Sequence, residues 1–199
     1  MHRVFISYHH DNDQWYKEEL VRFGKDNNIF EDWSVDTGDI PDDLTDEQIR
    51  VKIRDEYLKE SSVTIVLVGT ETKHRKHVDW EIYSSMFDGK INKKSGIIVI
   101  NLPSVNCDYY TASHSGEKEY VFPENTKWCT ITERSEFERR YPYMPDRIID
   151  NLLKTGAHVS VISWNKLNAD KLQYMIDRAY EDRANCDYDL SRPMRRKNS

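Results

Sequence analysis

The chain has 199 residues, 38% of them hydrophobic, 32% charged and 12% aromatic, a composition too rich in rings for a disordered chain and long enough to bury a core without disulfide or metal staples. A formal charge of -6 and a pI near 5.7 give no overall attraction to nucleic acid or to an anionic membrane, and neither is expected as a partner. The longest strongly apolar run, Val63 to Val68, is far too short to cross a bilayer, and Met1-His2-Arg3 leads directly into a strand instead of a signal-peptide core, so a cytoplasmic protein is expected.

Arg3 to Ser7 is short, apolar and β-prone, and the polar cluster His9 to Asp13 after it reads as a loop ending in a helix cap at Asp13. A helix follows over Gln14 to Lys25, with Trp15, Leu20, Val21 and Phe23 as its apolar positions and Gly24 and Asn27-Asn28 as its stop. Ile29 to Trp33 is a weaker strand. Ser34 to Asp43, with Gly38, Pro41 and four aspartates, is a loop. Thr45-Asp46-Glu47-Gln48 opens a second helix that buries Ile49, Ile53, Tyr57 and Leu58.

Ser62 to Gly69 is a continuous β-branched run of the kind buried on both faces of a parallel sheet, and it is expected to be the central strand. Thr70 to His77 forms a basic loop, Val78 to Phe87 a helix with Val78, Ile82, Ser85 and Met86 on one face, and Gly96 to Ile100 the next strand. Asn101 to Thr126 is a long irregular insert. Trp128 to Thr132 is expected as a small edge strand, Pro145 to Leu153 as a helix, and Asp170 to Asp182 as a last helix presenting Leu172, Met175, Ile176 and Ala179. Residues 1–190 thus read as one α/β domain, and 191–199, with Arg192, Arg195, Arg196 and Lys197, as a basic, frayed tail.

Strands alternating with helices imply right-handed βαβ units, which bring the loops after Ser7 and after Gly69 to one crevice at the sheet edge. No Gly-rich phosphate cradle, HExxH or GxSxG elbow is present. Cys107, Cys129 and Cys186 are odd in number and widely spaced, which argues against a disulfide framework and a zinc site. His74, His77 and Asp79 have metal-like chemistry but no matching ligand pair nearby, so no metal is expected.

Three stretches in order carry a resemblance: Val4-Phe5-Ile6-Ser7-Tyr8, the strand from Ser61 to Gly69 with Thr70-Glu71-Thr72 behind it, and Val78-Asp79-Trp80-Glu81-Ile82. Together they resemble TIR domains, in particular the TIR-like component of bacterial Thoeris anti-phage systems, over roughly residues 1 to 102. The resemblance implies a flavodoxin-like parallel sheet flanked by helices. It also implies cleavage of the nicotinamide-ribose bond of NAD, as substrate and with no resident cofactor, to give a cyclic or modified ADP-ribose signal that activates a separate effector protein. By the same resemblance Glu81 is the catalytic glutamate, and Phe5, Ser7, Tyr8, Thr70, His77 and Trp80 are expected to contact the dinucleotide.

His77 departs from the family, many members of which carry a tryptophan there. The acidic loop Asp36, Asp39, Asp42 and Asp43 corresponds to the loop through which TIR domains associate or cover their site, and self-association through it is expected. Plainer readings stand beside these. Glu81 is a solvated helix charge, Ser7 ends a strand, Phe5 and Tyr8 pack, and Trp80 either desolvates Glu81 or fills a helix contact. Two other functions also stay open: a non-catalytic TIR-like interaction module, and glycosyl transfer of the nucleoside deoxyribosyltransferase kind.

Overall fold

In the computed structural model, which describes residues 1–35 and 40–199, the β-branched runs pair in parallel as five strands. In chain order the elements are β1 (His2–Ser7), α1 (His10–Asp26), β2 (Phe30–Asp32), α2 (Asp46–Lys52), β3 (Val63–Val68), α3 (Lys76–Met86), β4 (Gly96–Asn101), α4 (Glu117–Val121), α5 (Arg134–Arg140), α6 (Asp146–Leu153), β5 (Ser160–Ser163) and α7 (Ala169–Asp182). The sheet order is β2-β1-β3-β4-β5, which is the flavodoxin-like order, with β3 central as its apolar run demanded.

Period-two alternation sorts the strand residues between two faces. Val4 and Ile6 of β1, Ile65 and Leu67 of β3, and Ile98 and Ile100 of β4 pack with Leu20 of α1 and Met175 and Ile176 of α7. Val66, Val68, Ile97 and Val99 face the opposite way, onto Val78 and Ile82 of α3 and Ile148 of α6. Phe5 also lies on that side, in a smaller cluster with Ile49, Ile53 and Trp80. The expected capping box is formed: Thr45 Oγ1 accepts from the Gln48 amide and Gln48 reaches back. A π-helical turn at Ile53–Tyr57 then extends α2.

Several expectations are corrected. α1 begins at His10, and its cap is His9, whose Nδ1 accepts from the Asn12 amide at 3.1 Å, whereas Asp13 lies inside the first turn. Gly24 does not stop the helix. It lies within it because a Cβ there would meet the Phe30 ring at 2.3 Å. Trp128 to Thr132 is not a strand; Trp128 packs edge-on against Tyr110 and Phe122 instead.

The sheet edge is taken by β5, a four-residue strand too short and too serine-rich to show a strand pattern, which is buried because β4 offers it a free ladder. The insert is built into the core. Val121 and Phe122 are buried under the sheet, and Thr111 bridges Val161.

The segment expected to fray is laid along the α2, α3 and α6 side of the molecule, because its backbone and its one apolar side chain both find partners there. Met194 is buried beside Phe5 and Trp80. Arg192 donates to Asp150 at 2.6 and 3.0 Å, the Arg195 amide donates to Asp79 at 2.8 Å, and Arg196 donates to the Leu44 carbonyl at 2.7 Å. No helix among the described residues is long and apolar enough to cross a membrane.

Candidate functional site

α3 is buried on almost every side, from Val78 to Ile82 and from Ser84 to Met86. An apolar environment of that kind makes each polar side chain on it expensive unless it is paired. Asp79 is held by the fully buried Arg147 guanidinium through two bonds, at 2.9 and 3.1 Å. Ser85 pairs with Thr64 of β3 at 2.8 Å. Glu81 accepts from the Ser7 hydroxyl at 2.6 Å.

That last bond follows from strand alternation. Phe5 and Ser7 point to the α3 face, and Ser7 stands opposite Val66 at the end of its ladder. Ser7 is fully buried and Glu81 is 2% exposed.

The Glu81 carboxylate borders a cavity of about 150 Å³ beyond the strand ends. Tyr8, His9, Arg75, His77 and Asn198 are among its other walls. Tyr8 stacks on His10 at 4.4 Å, and Arg75 reaches Asp11 at 3.6 Å. Burial, then the nearby Arg75 charge, lowers the pKa of His9 and favours its neutral imidazole. Asp13 sits behind this wall against Gly69, where any Cβ would come within 2.5 Å of its carboxylate. Gly69 therefore leaves the space that Asp13 fills, and burial pushes the Asp13 pKa up to about 6.

Of the residues expected to share a site, Ser7, Tyr8, His77 and Glu81 are brought together. Phe5 and Trp80 are core residues instead. Trp80 donates its indole N–H to the Arg195 carbonyl at 2.8 Å and stacks obliquely on His77 at 5.0 Å, so it shapes the site only through His77. Thr70 stands outside the cavity walls.

Sequence reasoning missed His9, Arg75 and Asn198 as walls. The first two stood in the polar clusters that follow β1 and β3, so their position in the crevice was open to the same strand-end argument. Asn198 had no such signal. It arrives because its side-chain carbonyl accepts the Lys76 amide at 2.9 Å, at the start of α3. Of the acidic loop, Asp36 and Asp39 lie outside the described residues. Asp42 pairs with Lys76, which holds its pKa below the usual range.

A carboxylate that accepts from the Ser7 hydroxyl at a cavity wall, with imidazoles and a guanidinium around it, is equipped to stabilise a developing positive charge while a cation receives an anionic group. Among the described residues no group of three or more His, Cys, Asp or Glu side chains is arranged to hold a metal ion. No curated protein matches the chain. Residues 5–107 match the family model described as Thoeris protein ThsB, TIR-like domain, and the matched segment runs from β1 past β4 and contains both Ser7 and Glu81. The chain therefore belongs to the TIR-like domain family of the Thoeris protein ThsB.

Proposed function

We propose that this chain cleaves the nicotinamide-ribose bond of NAD in the Glu81 cavity and releases an ADP-ribose product that acts as a signal on a separate effector protein in anti-phage defence. The observation that carries the reading is the buried Glu81 carboxylate, held by Ser7 at 2.6 Å and facing the cavity at the ends of β1 and β3. Membership of the ThsB family supports it.

In the step proposed, the glycosidic C–N bond breaks and its electron pair leaves with nicotinamide, which becomes neutral. The ribosyl centre gains positive charge, and the Glu81 carboxylate stabilises it. Water completes the reaction by adding to that centre and losing a proton. Alternatively, a nitrogen or hydroxyl of the same ADP-ribose unit adds and closes a ring, which requires water to be kept out. Ser7 acts as a positioning residue, fixing the Glu81 rotamer through its short bond. Arg75, which also reaches the exposed Asp11 at 3.6 Å, supplies a guanidinium to a phosphate at the cavity wall.

The test is nicotinamide release and product chromatography with the purified chain and with phage-challenged cells, comparing wild type with Glu81→Gln. Release in the wild type and its loss in the folded variant are expected. Equal release by both would remove Glu81 from the mechanism. A chain that releases no nicotinamide under either condition would leave the family fold serving as an interaction module.

A further inference from the structure

A second cavity, of about 430 Å³, is built from residues between Asp108 and Leu152, wholly beyond the segment that the family model matches. It lies by β5, to which Thr111 in its wall is bridged. Its volume falls in the range of small-molecule sites.

Trp128 forms one wall, and its ring is fixed in orientation by edge contacts to Tyr110 at 5.7 Å and Phe122 at 5.9 Å. Tyr110 is in turn stacked on Phe122 at 4.1 Å, with the planes 9° apart. Such mutual bracing gives a rigid aromatic surface that loses little entropy on binding a flat group.

The charges around it are one-sided. Lys118, Lys127 and Arg140 line the cavity against the single acid Asp108. Arg140 is already paired with Glu136 at 2.7 Å, a carboxylate it shares with Arg139. Lys118 holds its ammonium 5.1 Å from the Trp128 ring centre, and neither it nor Lys127 has a carboxylate at ion-pair distance among the described residues. In a chain of net charge -6, an ammonium group over a braced tryptophan with a second lysine in the same wall complements a ligand that is both flat and negative.

We propose that this cavity is a second ligand site, which takes a small aromatic anion with its ring against Trp128 and its phosphate or carboxylate on Lys118 and Lys127. The inference is independent of what the Glu81 cavity does.

Calorimetry of the full chain with AMP tests it, with adenosine as the ring-only control and ribose 5-phosphate as the phosphate-only control. AMP is expected to bind saturably and at least about tenfold more tightly than either control. Trp128→Ala and the double variant Lys118→Ala, Lys127→Ala should each weaken it by about tenfold, with Trp128→Phe retaining most of the affinity. Thermal melting checks that each variant folds, and the lysine pair keeps the test open if Trp128→Ala does not. The proposal is overturned if AMP fails to saturate, if adenosine binds as tightly as AMP, or if the lysine variant binds AMP like wild type. It is equally overturned if AMP binding is lost only in Glu81→Gln, which would place the nucleotide in the other cavity.

Discussion

Two glutamates are buried among the described residues, one inside the family-matched segment and one in the insert beyond it, and their surroundings differ in kind. Glu117 is fully enclosed, and its Oε2 accepts from the Ser113 amide at 2.7 Å, the His114 amide at 3.0 Å and the Ser160 hydroxyl at 2.7 Å. Glu81 is as deeply buried, yet it borders a cavity and takes a short bond from Ser7. A carboxylate whose Oε2 takes donors from the loop before α4 and from β5 is a pin that fastens the insert to the sheet. Glu81 lines a cavity, and a carboxylate in a cavity wall is within reach of a ligand. Burial alone does not separate structure from function here; the bordering cavity does.

Exchange of each carboxylate for its amide gives the largest contrast. Glu81→Gln should reduce nicotinamide release by about a hundredfold or more, the scale seen when a charge-stabilising group is removed from an active site, while the melting temperature changes little. Glu117→Gln should do the reverse. An amide cannot accept three donors with the strength of a carboxylate, so stability should fall by about 2 kcal/mol, with nicotinamide release per folded molecule retained. Denaturant melts and a nicotinamide assay on both variants decide the matter, and a Glu117 variant that melts like wild type would end its reading as a pin.

Asp13 supplies a smaller effect in the same crevice. Its folded pKa of about 6 exceeds the ordinary 3.8, so the folded chain binds the proton more tightly than the unfolded one. Its contribution is therefore present at low pH and is lost as pH rises from about 4 through 6, with a total of at most about 3 kcal/mol, less whatever solvent screens. Asp13→Asn carries no such proton. Relative to wild type, the variant should gain stability between pH 4.5 and pH 7.5, and the same difference at both pH values would show that burial does not control this group.

Much of this arrangement was legible because it depends on local pattern. The continuous runs at Val63 to Val68 and Gly96 to Ile100 have no alternative to burial on both faces, and the helix from Asp170 carries Leu172, Met175, Ile176 and Ala179 on one stripe, all now buried. The meeting of Ser7 with Glu81 followed from the handedness of βαβ units and from alternation along β1. Features decided by distant partners were not legible. Asn198 reaches the cavity through distant partners: its own bond from the Lys76 amide, the burial of Met194, and the Arg147 guanidinium donating to the Arg192 and Pro193 carbonyls at 2.9 and 3.2 Å. Glu117 resembles any other helix acid until β5, itself without a strand pattern, brings Ser160 beside it.

Trp15 is the smallest expected effect and the clearest case of a period misread. The sequence counts it among the apolar positions of α1 with Leu20, Val21 and Phe23. At 100° per residue, however, Trp15 is about 140° around the helix from Leu20, whereas Tyr16 is about 40° away. The inward stripe is therefore Tyr16, Leu20, Phe23 and Gly24, and Trp15 is left 60% exposed, touching Tyr16 edge-on at 4.9 Å while Tyr16 itself packs on Trp164. Trp15→Gln should shift stability by no more than about 0.5 kcal/mol, against roughly 2 kcal/mol or more for Tyr16→Ala. Urea melts of the two variants measure the difference, and a loss above about 1 kcal/mol for Trp15→Gln would return that ring to the buried face of α1.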